Sequence, residues 1–326
     1  MVQQAGILGW GHYLPGQVLT NQELEQMVDT NDEWIRTRTG ILERHIADST
    51  EATSDLAVNA ARAALAKAGL DPIDLDLIIV ATITPDTTFP ATACLVQAVL
   101  GATRAAAFDL SAACSGFIYG LSMAKSLIST RAARYCLVIG AETLSRITDY
   151  QDRNTCVIFG DGAGAVVLGP SESHLLQAVE IGADGTGGHL LQLPAGGSRK
   201  PASAETVAGR EHFIRMEGQE VFRFAISKVP EASLQLLANS GLQVADVDWF
   251  VPHQANKRII DSVAKRLGIS PDKVIVNLHN YGNMSAASVP IALAEAAEAG
   301  SFRPGQRILL AGFGGGLTWG TALIEW

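Results

Sequence analysis

Asp74-Leu75-Asp76-Leu77-Ile78-Ile79-Val80, preceded by Gly69-Leu70, has a counterpart far along the chain: Asp246-Val247-Asp248-Trp249-Phe250-Val251, preceded by Gly241-Leu242. The offset is 172 for the glycines (241 − 69) and for the aspartates (246 − 74) alike. An amphipathic helical pattern stands before each copy, Leu56 to Lys67 and Val221 to Ala238. Further on, Arg134-Tyr135-Cys136-Leu137-Val138-Ile139-Gly140 resembles Arg307-Ile308-Leu309-Leu310-Ala311-Gly312 at an offset of 173 (307 − 134). Each of these follows an alanine-rich helical stretch, Ser115 to Ser129 and Ser285 to Ala299. A repeat of half the chain is too long for a solenoid. It predicts a duplicated α/β unit, with halves at 1–172 and 173–326 and the join near Gly169-Pro170-Ser171-Glu172-Ser173.

The runs Ile78–Thr82, Ala106–Leu110, Cys136–Gly140, Trp249–Pro252, Val274–Val276 and Ile308–Ala311 are short and rich in Val, Ile and Leu. Such runs predict strands buried on both faces and covered by helices. Alternation of helix and strand predicts mostly parallel sheets. The Gly-rich, polar stretch from Gly182 to Gly209 reads as a surface insertion.

Composition narrows the class. The 326 residues are 48% hydrophobic and 17% charged, which suits a folded enzyme with a substantial core. A formal charge of −9 argues against nucleic acid as a partner. No apolar run reaches membrane-spanning length, and the start, Met1-Val2-Gln3-Gln4-Ala5-Gly6-Ile7, lacks the pattern of a signal peptide, so a cytoplasmic location is expected. Cys94, Cys114, Cys136 and Cys156 fit no zinc spacing, so no metal is expected. Cys94, Cys136 and Cys156 are expected to be small core residues.

Cys114 differs, because it lies between an apolar run and a helical stretch, in Asp109-Leu110-Ser111-Ala112-Ala113-Cys114-Ser115-Gly116. The unpaired N–H groups of a helix start favour a thiolate. The duplication points to two partners. An offset of 168 pairs Val276 with Phe108 and sets Asn283 beside Ser115, in a near-equivalent strand-to-helix loop. His253 follows the strand Trp249–Pro252. All three then lie at the carboxyl ends of strands, where open parallel sheets carry their sites. A thiolate attacks a thioester and holds its acyl group. Histidine and asparagine N–H groups converging on one carbonyl oxygen stabilise an enolate. His12, His45, His174, His189, His212 and His279 read as structural or surface residues.

Glycine clusters raise a nucleotide reading. In Gly9-Trp10-Gly11 the fingerprint fails, since Leu14 stands in the third glycine's place and Pro15 follows. Gly160-Asp161-Gly162-Ala163-Gly164 precedes a strand pattern, and no P-loop lysine follows any cluster. Phe313-Gly314-Gly315-Gly316 is either a tight turn or a backbone nest for an anion.

With these residues in hand, the chain resembles the β-ketoacyl-acyl-carrier-protein synthase III family of thiolase-fold condensing enzymes, from about Gly6 to Trp326. The resemblance is carried by Asp32-Glu33-Trp34-Ile35, Arg38-Thr39-Gly40-Ile41, Ala112-Ala113-Cys114-Ser115-Gly116 and Phe159-Gly160-Asp161-Gly162-Ala163-Gly164. Val251-Pro252-His253-Gln254-Ala255-Asn256, Tyr281-Gly282-Asn283-Met284-Ser285-Ala286-Ala287-Ser288 and Phe313-Gly314-Gly315-Gly316-Leu317-Thr318-Trp319-Gly320 complete it. It implies a duplicated thiolase-like fold and a homodimer. It implies acylation of Cys114 by acyl-coenzyme A, acetyl in the first instance, then decarboxylative condensation with malonyl-acyl carrier protein, without metal or redox cofactor. His253 and Asn283 would bind the malonyl thioester oxygen, and the N–H groups of Cys114 and Gly315 would form the oxyanion hole. Trp34 would stack on the adenine with Arg153 opposite and Arg38 and Thr30 nearby, and Asn256 would line the pantetheine channel. Phe89 would reach the partner's acyl pocket, and Arg223, Arg258, Lys265 and Arg266 would receive the acidic carrier protein. A condensing enzyme of a specialised pathway, with another starter or a coenzyme A-bound extender, stays open beside this, as do a nicotinamide-dependent oxidoreductase and a non-catalytic carrier-binding homologue.

Overall fold

Apolar runs too short for helices form the strands, and glycine-terminated amphipathic stretches form the helices around them. The computed structural model describes residues 3–326; Met1 and Val2, which open the stretch read for a signal peptide, lie outside them. Nine strands form the main sheet: β1 (Ala5–Tyr13), β2 (Leu77–Ala81), β3 (Ala106–Leu110), β4 (Cys136–Thr143), β5 (Asp161–Pro170), β6 (Leu175–Ala183), β7 (Trp249–Pro252), β8 (Arg307–Gly314) and β9 (Thr318–Glu325). Their order is β7-β8-β9-β6-β1-β5-β4-β2-β3. The β6–β1 junction rests on one residue pair, Gly6 with Leu175, so the sheet divides there into a first-half and a second-half group.

The parallel pairing expected from alternation holds at the two flanks, β4–β2–β3 and β7–β8. Nearer the junction, β5 pairs antiparallel with both β1 and β4, and β9 with both β8 and β6. Of these pairs, β8–β9 and β4–β5 are consecutive strands, joined by a tight turn and by a loop with only short helical turns, without the long helical crossover that parallel pairing requires. The helices Gly116–Ser129 and Ser288–Glu298 pack between the groups with the largest buried cluster, which joins Phe117, Leu121, Val138, Val289, Leu293 and Leu310. The helices Thr53–Ala68 and Gly218–Asn239 cover the outer faces.

Val274–Val276 is not a strand; only Val274 bridges to Phe250. Ile275 N donates to Phe250 O, but the ladder goes no further: Gln254 donates to Ile275 O and then accepts from the N–H groups of Asn277 and Leu278. The offset of 168 also needs correction near the loop. The 3-10 turns Ala113–Ser115 and Ser285–Ala287 are related by an offset of 172 (285 − 113), and each opens on a residue with positive φ, Ala113 at 45° and Ser285 at 46°. Left-handed backbone at a residue with a side chain costs about 1–3 kcal/mol. Its repetition at matched positions fixes the register and pairs Cys114 with Ala286, not Ser115 with Asn283. The four-residue helix Leu278–Tyr281, present in the second loop only, accounts for the difference between 168 and 172.

The halves interlock through these turns. A Cβ on Gly140 would stand 2.2 Å from Ala286 O, and one on Gly312 would stand 3.1 Å from Cys114 O. Each half's strand glycine therefore lies under the other half's turn. Cys94 is exposed, contrary to expectation, because its helix (Thr92–Leu100) turns Thr92, Ala93 and Val96 inward and Cys94 outward.

Candidate active site

The carboxyl ends of β3 and β7 deliver Cys114 and His253 to one place; Asn283, expected at a strand end as well, instead follows the short helix Leu278–Tyr281. Cys114 sits in the 3-10 turn that opens the helix Gly116–Ser129. Burial pushes its thiol up to about 12. The thiolate expected from the helix start is thus not the resting form: a group that burial holds neutral has to lose its proton as it reacts. Gly314 lies against it, where a Cβ would come within 2.6 Å of Cys114 N. Only a glycine lets the strand end approach the nucleophile's backbone so closely.

His253 follows β7, with its ring edge-on to Phe313 and its Nδ1 2.6 Å from Ser288 Oγ. Burial lowers its pKa to about 3, so the imidazole is neutral. Asn283 is held in the second loop, and its Oδ1 accepts the Ser285 N–H at 2.9 Å. That contact aims its amide nitrogen away from the turn, leaving an N–H donor for a ligand.

Cys114, His253 and Asn283 line one open cavity of 930 Å³ together with Trp34, Arg38, Asn154, Asn256, Arg223 and Arg258. A second cavity of 370 Å³ meets the first at Cys114, Phe159 and Leu191. Its other walls include Ile83, Leu144, Ile147, Leu193, Ile214, Ser285 and Gly315. The stretch from Gly182 to Gly209 is therefore more than a surface insertion, since Leu191 and Leu193 form part of the cavity wall.

The remaining expected contacts divide. Asn256 lines the first cavity, but its side chain also caps the helix Lys257–Leu267 and donates to Arg38 O. Arg153 and Thr30 are not among the residues lining it. The Arg153 guanidinium lies directly over Trp34, 4.3 Å from the ring centroid, so the expected gap for a planar base between them is closed. Arg223 is paired with Glu220, and Arg258 lies over Phe222. Lys265 and Arg266 stand at the far end of the helix Lys257–Leu267, away from the mouth, and Arg266 donates to Ile226 O. Phe89 is 85% exposed and touches neither cavity of its own chain.

Several residues were not legible as site residues. Gln254, Ser285 and Ser288 sit in quoted motifs but look like turn residues; the structure makes each a buried positioning group. The glycines of Gly160-Asp161-Gly162-Ala163-Gly164 alternate into β5, and Cβ atoms there would meet Tyr281 O, Met284 Sδ and Ile291 N at 2.4, 2.8 and 2.7 Å. They admit the second half's loop and helix, not a nucleotide. Asp161 between them accepts from Ala47 N, Ser145 N and Ser145 Oγ. Among the described residues, no cluster of His, Cys, Asp and Glu suits a metal, and no helix is long and apolar enough to cross a membrane.

A duplicated α/β scaffold presenting a thiol, a neutral imidazole and a carboxamide to one channel defines a thiolase-fold condensing acyltransferase. Family models described as 3-oxoacyl-[acyl-carrier-protein] synthase III and its C-terminal region match residues 108–185 and 237–326. The β-ketoacyl-[acyl-carrier-protein] synthase III of Caldanaerobacter subterraneus is 58% identical, covering 99% of this chain and 98% of the relative. That of Natranaerobius thermophilus is 56% identical and covers 100% of both. The crystal structure of 3-oxoacyl-[acyl-carrier-protein] synthase III from Aquifex aeolicus superposes with a TM-score of 0.91 at 48% identity, over 99% of this chain and 100% of that one. The chain belongs to the β-ketoacyl-acyl-carrier-protein synthase III family.

Proposed function

We propose that this chain catalyses the initiating condensation of type II fatty acid synthesis. Acyl-coenzyme A, acetyl in the first instance, enters the larger cavity and transfers its acyl group to Cys114. Malonyl-acyl carrier protein follows, loses CO2, and its carbanion attacks the acyl-enzyme to give a β-ketoacyl-carrier product. The observation that carries this reading is the position of Cys114 at the meeting of the two cavities. One takes the thioester arm; the other, walled largely by aliphatic side chains, takes the acyl chain.

The site chemistry follows from charge development. A neutral imidazole and a carboxamide both offer N–H donors, and donors aimed at a developing enolate are worth about 3–4 kcal/mol each in comparable sites. His253 and Asn283 would therefore serve decarboxylation, while the backbone N–H groups of Cys114 and Gly315 would serve the tetrahedral intermediates. Trp34, Arg38 and Asn256 would bind coenzyme A, with Arg153 and Thr30 joining them once Arg153 leaves the Trp34 face. Arg223 and Arg258 at the mouth, with Lys265 and Arg266 beyond, would attract the acidic carrier protein. No cofactor beyond the thioester substrates is required, and a cytoplasmic location suits both.

The chain would act as a homodimer of two-half subunits divided near Glu172. β3 is an edge strand; exposed Phe89 lies just before the helix Thr92–Leu100 that precedes it, and exposed Val99 lies on that helix. An unpaired strand edge bordered by apolar side chains is a pairing surface. Intact-mass measurement tests the whole reading: acetyl-coenzyme A should add one acetyl group to the wild type and none to Cys114→Ala. An acylated Cys114→Ala protein would overturn it, and sedimentation of Phe89→Asp checks the dimer.

A further inference from the structure

Ser288 is not the only residue of its helix turned toward the reacting groups. Glu295 lies seven residues on, two turns along the helix Ser288–Glu298 and on the same face. Ile291 stands between them, clustered with Met284 and with Tyr281 packed against it. The Glu295 carboxyl group spans the short helix Leu278–Tyr281. Its Oε2 accepts from Asn277 Nδ2 at 2.8 Å, just before that helix, and its Oε1 accepts from Tyr281 Oη at 2.5 Å, at the helix's last residue.

From Tyr281 the chain reaches Asn283 through Gly282 alone, at φ 68° and ψ −159°, a conformation essentially reserved for glycine. A glycine link has no strong preference of its own, so the place of Asn283 depends on what fixes the chain on either side. Beyond the glycine, Asn283 N donates to Ile158 O and Asn283 O accepts from Gly160 N. Before it, Gln254 takes the N–H groups that open the short helix, and Glu295 takes the side chains at its two ends.

The first half has no such brace. At the offset of 172 (295 − 123), Glu295 corresponds to Met123, which is exposed, and the first-half loop lacks the short helix. The carboxyl group therefore appears only where there is an inserted helix to hold.

We infer that Glu295 is a positioning residue for decarboxylation: by holding both ends of the helix Leu278–Tyr281 it sets where the Asn283 amide stands relative to His253, whose ring Ser288 holds from the same helix face. One face of one helix thus aligns both donors to the malonyl thioester oxygen. Cys114 hangs on neither contact, so acyl transfer proceeds without the brace. The inference rests on the reading of His253 and Asn283 as the enolate donors.

Initial rates of carbon dioxide release from malonyl-acyl carrier protein, measured beside acetylation of Cys114 by intact mass, test it. Glu295→Ala should lower kcat for release about tenfold or more with KM nearly unchanged, because a donor out of line loses transition-state binding above all. Acetylation should stay within about twofold of wild type. Glu295→Gln should restore most of the release rate. Its amide can accept from Tyr281 and, once the Asn277 amide turns over, donate to Asn277 Oδ1, which is buried and otherwise without a partner among the described residues. Tyr281→Phe should lose part of the rate, and the double variant Tyr281→Phe/Glu295→Ala should be no slower than Glu295→Ala alone. Unchanged release in Glu295→Ala, equal loss of both half-reactions, or no recovery in Glu295→Gln overturns the brace. Asn283→Ala separates this from the site itself: wild-type release there overturns the donor role of Asn283, whereas loss there beside wild-type release in Glu295→Ala overturns the brace alone.

Discussion

His253 Nδ1 and Ser288 Oγ stand 2.6 Å apart, and the same Ser288 hydroxyl lies 2.9 Å from Ser285 O. One hydroxyl proton cannot serve both. Donated to the carbonyl, it leaves the ring proton on Nδ1; donated to Nδ1, it leaves an N–H at Nε2 for the substrate. A donor role for His253 toward an enolate requires the second arrangement.

Ser288→Ala should therefore impair decarboxylation and leave acylation nearly intact. Carbon dioxide release from malonyl-acyl carrier protein should fall about tenfold or more, as for loss of one oriented donor. Nitrogen-15 NMR of the labelled imidazole should move the ring proton away from Nε2. An unaltered rate of release would remove Ser288 from the mechanism.

The two half-reactions should separate by residue. His253→Ala should still become acylated but lose decarboxylation, and Cys114→Ala should decarboxylate without acylation. Loss of the acyl mass shift in His253→Ala would count against that division of labour.

Acid stability should carry the signature of the buried imidazole. The folded pKa of His253 lies near 3, below its ordinary 6.5, so the unfolded chain takes the proton first. The associated stability is complete above 6.5 and is lost as pH falls toward 3, by about 2 kcal/mol between pH 6.5 and 5. Glu142, raised by burial from 4.5 to about 7, works in the opposite sense: its contribution is complete below 4.5 and is lost as pH rises through 7. Both proteins retain Glu142, so urea midpoints of wild type and His253→Gln at the two pH values isolate the imidazole. Parallel midpoints would contradict its burial as a neutral ring.

Gly314→Ala should silence acylation without unfolding the chain. The added methyl would come within 2.6 Å of Cys114 N and 3.2 Å of Cys114 Cβ, so the nucleophile must move. A displacement of that kind costs about 100-fold in rate. Acetylation kinetics read beside a thermal melt check this, and wild-type kinetics would mean that the strand end can give way.

The 370 Å³ cavity should admit starters larger than acetyl. Isobutyryl- and butyryl-coenzyme A should acylate Cys114 at rates within about tenfold of acetyl, and Leu144→Trp should suppress the larger starters while sparing acetyl. Acylation by acetyl alone would mean that the cavity is closed in the assembled enzyme.

The repeat and most strands were legible because aliphatic runs and terminal glycines recur at offsets of 172 and 173; the meeting of Cys114, His253 and Asn283 in one cavity was expected too, although the loop offset of 168 that placed Asn283 was four residues short. Val274–Val276 misled, since three aliphatic residues resemble a strand whether the neighbour offers a backbone ladder or, as here, the side chain of Gln254. Cys94 misled because residue type does not say which face of a helix turns inward. Ser288 and Glu295 were hidden for a different reason. Their meaning lies in contacts with residues distant in the chain, which no local pattern encodes. The Arg153–Trp34 contact likewise depends on how two distant loops meet.

The matched left-handed residues Ala113 and Ser285 mark the same bend in both halves. One copy kept a sulfur at the next position and the other a methyl, so neither is a spare for the other. The likeness of the bends brings no redundancy: both halves furnish walls of the same cavity, so damage to one bend finds no backup in its twin.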